Sequence, residues 1–163
     1  MRLALVAIGR LKSGPETDLA ARYRDRAVAL ARGLGCAGPE IIDLAEGRSR
    51  HADERRAEEA AVIEARIAGS LAVVFDERAS SLASEAFSER LREWRDGGQP
   101  RLSFVIGGPD GLHQRIRAAS ALAVSFGQLT LPHGLVRVLV LEQVYRALTI
   151  MAGHPYHRGS GEP

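Results

Sequence analysis

Short apolar runs alternate with longer, mostly polar stretches along the chain. The runs are almost wholly apolar instead of alternating between apolar and polar residues, which is typical of strands buried on both faces of a parallel sheet. Five runs predict strands, at 3–8, 41–44, 71–75, 102–106 and 122–126. Because the segments between them have helical patterns, the chain is predicted to have an α/β fold, with a mainly parallel sheet flanked by helices.

The intervening segments predict five helices. Four cover residues 16–34, 53–67, 112–120 and 135–151, and one begins where Ser84 can cap it and ends at Gly97. The helix at 135–151 has apolar residues on more than one face, which indicates burial on several sides and predicts a subunit interface. No repeat or linker interrupts the pattern, so residues 1–163 are predicted to form a single domain.

The charge of the chain gives little information about what kind of molecule it binds. The net charge is +2, and the positive charge is almost all arginine, since Lys12 is the only lysine. The guanidinium group suits phosphate and stacks on bases, although an arginine-biased genome would explain most of this bias. The composition therefore permits a nucleic-acid partner without requiring one.

The cellular compartment is predicted from the single cysteine and the hydropathy pattern. With only Cys36 present, an intramolecular disulfide is excluded, which agrees with a reducing cytoplasm. The most apolar stretch, 135–151, is interrupted by Arg137, Glu142, Gln143 and Arg146, so no membrane span is predicted.

Three loops that follow predicted strands indicate a ligand site. They lie at 76–80, 107–111 and 127–132, and ligands of parallel sheets bind beyond the carboxyl ends of the strands. The second loop matches neither the dinucleotide nor the phosphate-loop pattern and, taken alone, is equally a tight turn. In the third loop, Leu129 and Leu131 could line a slot for adenine. Together the loops favour a small-molecule site.

Other chemistries fit less well. No G-x-S-x-G motif indicates a hydrolase, and Pro155 between His154 and His157 argues against a helical metal pair, so no metal site is predicted. Asp43 and Asp76, at strand ends, are equally compatible with structural and catalytic roles.

Several motifs together resemble a known family. They are FVIGGPDGL at 104–112, LTLPH at 129–133, VRV at 136–138, EQVYRA at 142–147 and HPYHR at 154–158, preceded by LALVAIG at 3–9. In this order they resemble the RlmH-type methyltransferases, small SPOUT-class enzymes that act on ribosomal RNA. The resemblance extends over nearly the whole chain.

The resemblance implies a fold with a C-terminal trefoil knot that binds S-adenosylmethionine, in a homodimer. The implied reaction is methylation of N3 of a pseudouridine in large-subunit ribosomal RNA within the assembled ribosome, with no DNA or membrane partner. By position, the implied cofactor contacts are Phe75, Gly108, Gly127, Gln128, Leu129, Thr130, Leu131 and Pro132. The implied RNA-side and catalytic residues are Arg146, His154, Tyr156 and Arg158.

The loop after the third strand departs from the family pattern. Ala79 stands where the family has glycine, and Ser80 where it has a basic residue. Two alternatives to the implied function stay open. One is a SPOUT methyltransferase that acts on another RNA, which would keep the three loops and differ in the tail, and the other is a ribosome-binding protein without activity, if Ala79 and Ser80 disrupt the pocket.

The reaction requires a proton to leave the ring nitrogen. Arg146 or Arg158 could stabilise the developing anion, His154 or His157 could accept the proton, and Tyr156 could stack on a base. Each has a structural alternative: Arg146 is placed for a helix salt bridge with Glu142, and the tail could seal the dimer. We also predict a site completed across the dimer.

Overall fold

The computed structural model describes residues 1–154 and contains one parallel sheet. Its strands are β1 (Arg2–Ile8), β2 (Ala37–Leu44), β3 (Leu71–Phe75), β4 (Arg101–Ile106) and β5 (Leu122–Val124). The order across the sheet is β2-β1-β4-β3-β5, and every neighbouring pair is parallel. The predicted α/β class is confirmed, and all five strands place their carboxyl ends at one edge.

Within residues 1–154, four α-helices connect the strands and a fifth follows β5. They are α1 (Pro15–Ala31), which continues into a 3₁₀ turn (Arg32–Leu34), α2 (Ala52–Ile67), α3 (Ser84–Asp96), α4 (Gln114–Ala118) and α5 (His133–Met151). The larger differences from the predicted bounds are that β2 and α5 begin earlier, β5 ends earlier, and α4 is shorter at both ends. Helix α4 begins later than predicted because His113 is its N-cap, with Nδ1 accepting a hydrogen bond from the N–H of Arg115 at 3.2 Å.

The predicted cap of α3 is wrong. Ala83 occupies the N-cap position, so Ser84 is the first helical residue. Its hydroxyl instead donates to Gln143 Oε1 at 2.8 Å and joins α3 to α5.

The helices form one layer on each face of the sheet. Helices α1, α3 and α5 pack on one face, around a core that includes Leu5 and Phe104, while α2 and α4 pack on the other around Val74 and Val105. Adjacent residues of each strand point to opposite faces, and both faces are covered by helices, which explains why the central strands are mostly apolar.

Helix α5 is buried because it lies between α1 and α3 over the sheet. Val140, Leu141 and Val144 have no exposed surface within this single chain. Burial on several sides is therefore explained without a second subunit, and it no longer supports the predicted interface. No helix within residues 1–154 is long and apolar enough to cross a membrane. The order of the elements does not establish a knot, so the trefoil knot stays a prediction.

Candidate functional site

The three loops identified in the sequence surround one cavity of about 390 Å³ at the carboxyl edge of the sheet. They meet there because β4, β3 and β5 are adjacent, although the loops are separated along the chain. The cavity is lined by six of the predicted cofactor residues: Phe75, Gly108, Gly127, Leu129, Thr130 and Leu131. Gln128 and Pro132 do not line it.

The floor of the cavity is aromatic. The Phe75 ring stacks on the Phe126 ring, with 5.3 Å between centroids and 15° between planes. Phe75 is 6% exposed, so most of its surface packs in the core. It fixes the shape of the cavity wall more than it offers contact area to a ligand.

The loop at 127–132 has polar and apolar groups without partners in the described part of the chain. The Leu129 side chain is 82% exposed. The N–H groups of residues 128–131 donate to no other described residue, whereas the N–H of Gly127 donates to Ser125 Oγ at 3.0 Å. Backbone donors without a described partner, beside one exposed and one half-buried leucine, suit the recognition of a flat heterocycle, because such sites combine apolar walls with a few polar groups.

The second of the three loops, residues 107–111 (the glycine loop), packs closely against Glu59 of α2. A Cβ atom on Gly108 would lie 2.9 Å from both carboxylate oxygens of Glu59. Glu59 is only 4% exposed and accepts a hydrogen bond from the N–H of Gly47 at 3.0 Å. Burial raises the pKa of the Glu59 carboxyl group. Position 108 therefore requires glycine for this close packing, independently of whether a ligand contacts it.

A second contact also fixes this loop. Arg55 on α2 donates to both oxygens of Asp110, through Nε at 2.7 Å and through a terminal nitrogen at 3.0 Å. This hydrogen bonding lowers the pKa of Asp110 and raises that of Arg55. The bidentate pair anchors the glycine loop to α2.

The departure at Ala79 does not disturb the cavity. No non-glycine residue in the described part has a positive φ, so alanine adopts this turn without strain. The N–H of Ala79 donates to the carbonyl of Asp76 at 3.0 Å, and neither Ala79 nor Ser80 lines the cavity. Arg78, immediately before Ala79, does line it and supplies a basic group.

The two aspartates at strand ends have structural partners. The Asp76 carboxylate accepts from the N–H of Arg78 at 2.9 Å and from Arg117 at 3.4 Å. Asp43 forms an ion pair with Arg137. Of the two interpretations left open by the sequence, these contacts support the structural one.

Sequence reasoning missed His133 and Arg137. His133 is the first residue of α5, lines the cavity, and accepts a hydrogen bond at Nε2 from Arg137 Nε at 3.2 Å. The Arg137 side chain is 2% exposed and also donates to Asp43 and to the carbonyls of Ile8 and Gly9. Burial, followed by the Arg137 charge, lowers the pKa of His133, so its imidazole is neutral at neutral pH. The i, i+4 spacing of His133 and Arg137 at the start of α5 is the sequence feature that could have indicated their contact.

The predicted catalytic residues lie away from the cavity or outside the described residues. Arg146 donates to Glu142 Oε1 through Nε at 2.9 Å, which confirms the helix salt bridge. It lies about 15 Å along α5 from Val136, a residue of the cavity wall, at 1.5 Å per residue. His154 is exposed beyond the end of α5, and its N–H donates to the carbonyl of Thr149 at 2.9 Å.

Tyr156, His157 and Arg158 lie outside the described residues. Within residues 1–154, no group of histidine, cysteine, aspartate and glutamate side chains could hold a metal ion.

These features define a parallel α/β protein with a ligand cavity built from three strand-end loops. The chain belongs to the SPOUT methyltransferase family, because a family model described as "Predicted SPOUT methyltransferase" matches residues 1–157. The family expected from the sequence is therefore confirmed.

More specific relatives carry the name ribosomal RNA large subunit methyltransferase H. The protein of that name from Methylobacterium sp. (strain 4-46) is 57% identical over 161 residues, covering 98% of this chain and 99% of the relative. The one from Rhodopseudomonas palustris (strain BisB5) is 55% identical over 159 residues, covering 97% of this chain and 99% of the relative.

One solved structure shares the fold at low sequence identity. The probable methyltransferase from Bordetella pertussis Tohama I superposes with a TM-score of 0.51 at 16% identity, covering 90% of this chain and 95% of that one. At this identity the likeness supports the fold alone.

Proposed function

We propose that this chain is an S-adenosylmethionine-dependent methyltransferase that modifies N3 of a pseudouridine in large-subunit ribosomal RNA. One observation carries the proposal. The three strand-end loops enclose a single cavity, in a chain that matches a ribosomal RNA large subunit methyltransferase H at 57% identity over nearly its whole length. The assembled ribosome is the proposed substrate.

The residues of the cavity fit S-adenosylmethionine. A volume of about 390 Å³ is within the usual range of small-molecule sites. Leu129 and Leu131 offer apolar surface to adenine, and the N–H groups of residues 128–131, which have no partner within residues 1–154, offer hydrogen bonds. Arg78 offers a cation to the carboxylate of the amino-acid part. When bound, the cofactor supplies an electrophilic methyl group.

The methyl-accepting nitrogen bears a proton, and His133 is poorly placed to remove it. The neutral imidazole has one donor and one acceptor nitrogen, and its acceptor Nε2 is already bonded to Arg137. We therefore assign His133 to the wall of the cavity. Arg146, His154, Tyr156 and Arg158 stay our proposed RNA-side and catalytic residues.

We further propose a homodimer whose site is completed by the second copy. Arg146 lies about 15 Å along the continuous helix α5 from Val136, the last α5 residue in the cavity wall. This separation along a rigid helix supports a site to which Arg146 contributes from the second copy. A monomeric variant that methylates ribosomes at the parent rate would contradict this arrangement.

The cytoplasm is the proposed location, because a large-subunit ribosomal RNA is the proposed substrate and Cys36 is a free thiol. DNA and membranes are not proposed partners.

The test begins with calorimetric titration of S-adenosylmethionine. Thr130→Trp places an indole at an exposed position of the cavity wall, and Ala86→Trp adds the same group at an exposed position of α3. We expect saturable binding by the parent protein and by Ala86→Trp, and at least tenfold weaker binding by Thr130→Trp.

Methylation of purified ribosomes with labelled cofactor then tests the substrate. Incorporation at N3 of one pseudouridine of the large-subunit RNA is expected. A folded protein that binds ribosomes but not the cofactor would favour the ribosome-binding protein without activity. Incorporation into another RNA would favour the other SPOUT alternative.

A further inference from the structure

The cofactor cavity occupies only part of the carboxyl edge of the sheet. Strands β1 and β2 end at the same edge, beside β4, and their loops surround a second, more open cavity of about 510 Å³. Its lining includes Gly9 and Arg10 after β1, and residues 43–48 at the end of β2 and after it. The proposed cofactor role uses none of these residues.

Basic side chains of these two loops are largely unneutralised. Arg10 is 89% exposed and lies 4.0 Å from Asp43, which is already paired with Arg137. Lys12, Arg48 and Arg50 are exposed and form no ion pair with a residue in the range 1–154. These four side chains define the basic rim: Arg10, Lys12, Arg48 and Arg50.

The arginines of α2, α3 and α4 differ from the basic rim because they are paired with carboxylates. Every arginine of α2, α3 and α4 forms an ion pair with a carboxylate: Arg55, Arg56, Arg66, Arg90, Arg92, Arg95, Arg115 and Arg117. Exposed basic residues without an ion pair within residues 1–154 also occur at Arg22 on α1 and at Arg32 and Arg101 on the opposite edge of the sheet, so what distinguishes the basic rim is its place beside the cofactor cavity.

The backbone that carries the rim is fixed relative to the cofactor cavity. Arg55, which anchors Asp110 of the glycine loop, also donates to the carbonyls of Ser49 at 3.0 Å and Arg50 at 2.9 Å. The N–H of Arg48 donates to Glu58 Oε2 at 2.8 Å. On the other loop, Arg137 holds the carbonyl of Gly9. The loops are thus ordered before any ligand binds, which lowers the entropy lost on binding.

We propose that the basic rim binds the phosphate backbone of the substrate RNA and aligns the target nucleotide with the neighbouring cofactor cavity. The inference rests on the proposed function, because the ligand is the RNA that this function requires. Guanidinium and ammonium groups bind phosphate through charge-assisted hydrogen bonds and release counterions, so such binding weakens steeply with salt. Of the two acidic groups of the second cavity, Asp43 is neutralised by Arg137, while Glu46 lies beside Gly9 and forms no ion pair within residues 1–154, so the four basic side chains of the rim outnumber it.

The experiment measures binding of purified 70S ribosomes that lack the modification, over a series of salt concentrations. The rim variants are Arg10→Ala, Lys12→Ala, Arg48→Ala and Arg50→Ala. The matched controls are Arg32→Ala and Arg101→Ala, at exposed basic residues of the opposite edge of the sheet. Titration with S-adenosylmethionine and thermal melting accompany each variant.

Each rim variant is expected to bind ribosomes roughly threefold more weakly and to lower the slope of log K against log salt by about 0.7–0.9. The affinity for S-adenosylmethionine and the melting temperature are expected to be unchanged, and both controls are expected to match the parent protein. Weakened methylation should be restored by raising the ribosome concentration.

Three outcomes would overturn the proposal. Parent-like ribosome binding by all four rim variants would show that RNA does not contact the rim. Weaker binding with an unchanged salt slope would point to a ribosomal protein in place of phosphate. Loss of cofactor affinity would show that the rim loops only support the cavity. Failure of the proposed function is distinguishable, because the parent protein itself would then leave ribosomes unmethylated.

Discussion

Replacing Arg137 by methionine should strongly destabilise the protein. The Arg137 side chain is only 2% exposed. The substitution removes its guanidinium group and puts a flexible apolar side chain in its place. Four acceptors then lose a donor: the Asp43 carboxylate, the carbonyls of Ile8 and Gly9, and Nε2 of His133.

The size of the loss follows from these four groups. A buried acceptor without a partner costs about 1–3 kcal/mol, while the Asp43 side chain is 32% exposed and can regain water. Breaking a buried ion pair from one side typically costs about 3–5 kcal/mol, and we expect a loss in that range. Since domains are stable by only about 5–15 kcal/mol, the change is large.

Urea denaturation followed by circular dichroism measures this loss. Protein concentration must be held fixed, because the proposed homodimer would make stability depend on it. Arg22→Met, at an exposed arginine of α1, is the matched control and should change the free energy of unfolding by less than about 0.5 kcal/mol. Arg137→Lys keeps the charge but loses the planar fork, so its loss should be intermediate.

A second observable separates this explanation from general damage to the core. Arg137 is one of the groups that lower the pKa of His133, so that pKa should rise in Arg137→Met. NMR titration of the imidazole measures the shift. A loss of stability below about 1 kcal/mol, or an unchanged His133 pKa in a folded variant, would refute the reasoning.

Three further predictions follow from the site. Gly108→Ala should destabilise by about 1–3 kcal/mol in urea because its Cβ meets Glu59, whereas Gly33→Ala, whose Cβ meets nothing within 4 Å, should not; equal effects would contradict this. Ala79→Gly should lower stability by about 0.4–1 kcal/mol without improving cofactor affinity in calorimetry, because alanine fits that turn; tighter binding would contradict this. The folded pKa of His133 lies below the unfolded value of 6.5, so the unfolded chain binds the proton first and stability is lost as pH falls below 6.5. His133→Gln should reduce the difference in melting temperature between about pH 7.5 and 5.5, and an unchanged difference would contradict this.

The fold class and the loops of the site could be predicted because both depend on local patterns. Nearly continuous apolar runs are expected of strands that have helices on both faces, and β1, β3 and β4 have them apart from Arg2, Arg101 and Ser103. Parallel strands bring their following loops to one edge, so the loops after β3, β4 and β5 could be expected to meet. The early start of β2 was missed, since residues 37–40 contain a glycine, a proline and a glutamate, which are unusual in strands.

What the sequence could not supply is the set of contacts that fixes these loops in space. Arg137 joins groups that lie 94 to 129 residues away along the chain, at Asp43, Ile8 and Gly9. Arg55 likewise joins Asp110, 55 residues away, to the loop after β2. A local pattern contains no information about such pairs, so these arginines could not be told from those that form ion pairs within one helix.

Arg55 and Arg137 also explain how loops with few buried apolar side chains can form a site of fixed geometry. Loop backbone exposes polar groups that need partners, and side chains of α2 and α5 provide them from fixed positions on the scaffold. Each guanidinium serves two loops at once, so the glycine loop, the loop after β2 and the loop after β1 are held relative to one another and to the start of α5. The cofactor cavity and the basic rim are thus parts of one rigid edge, and a substitution at Arg55 or Arg137 should affect both.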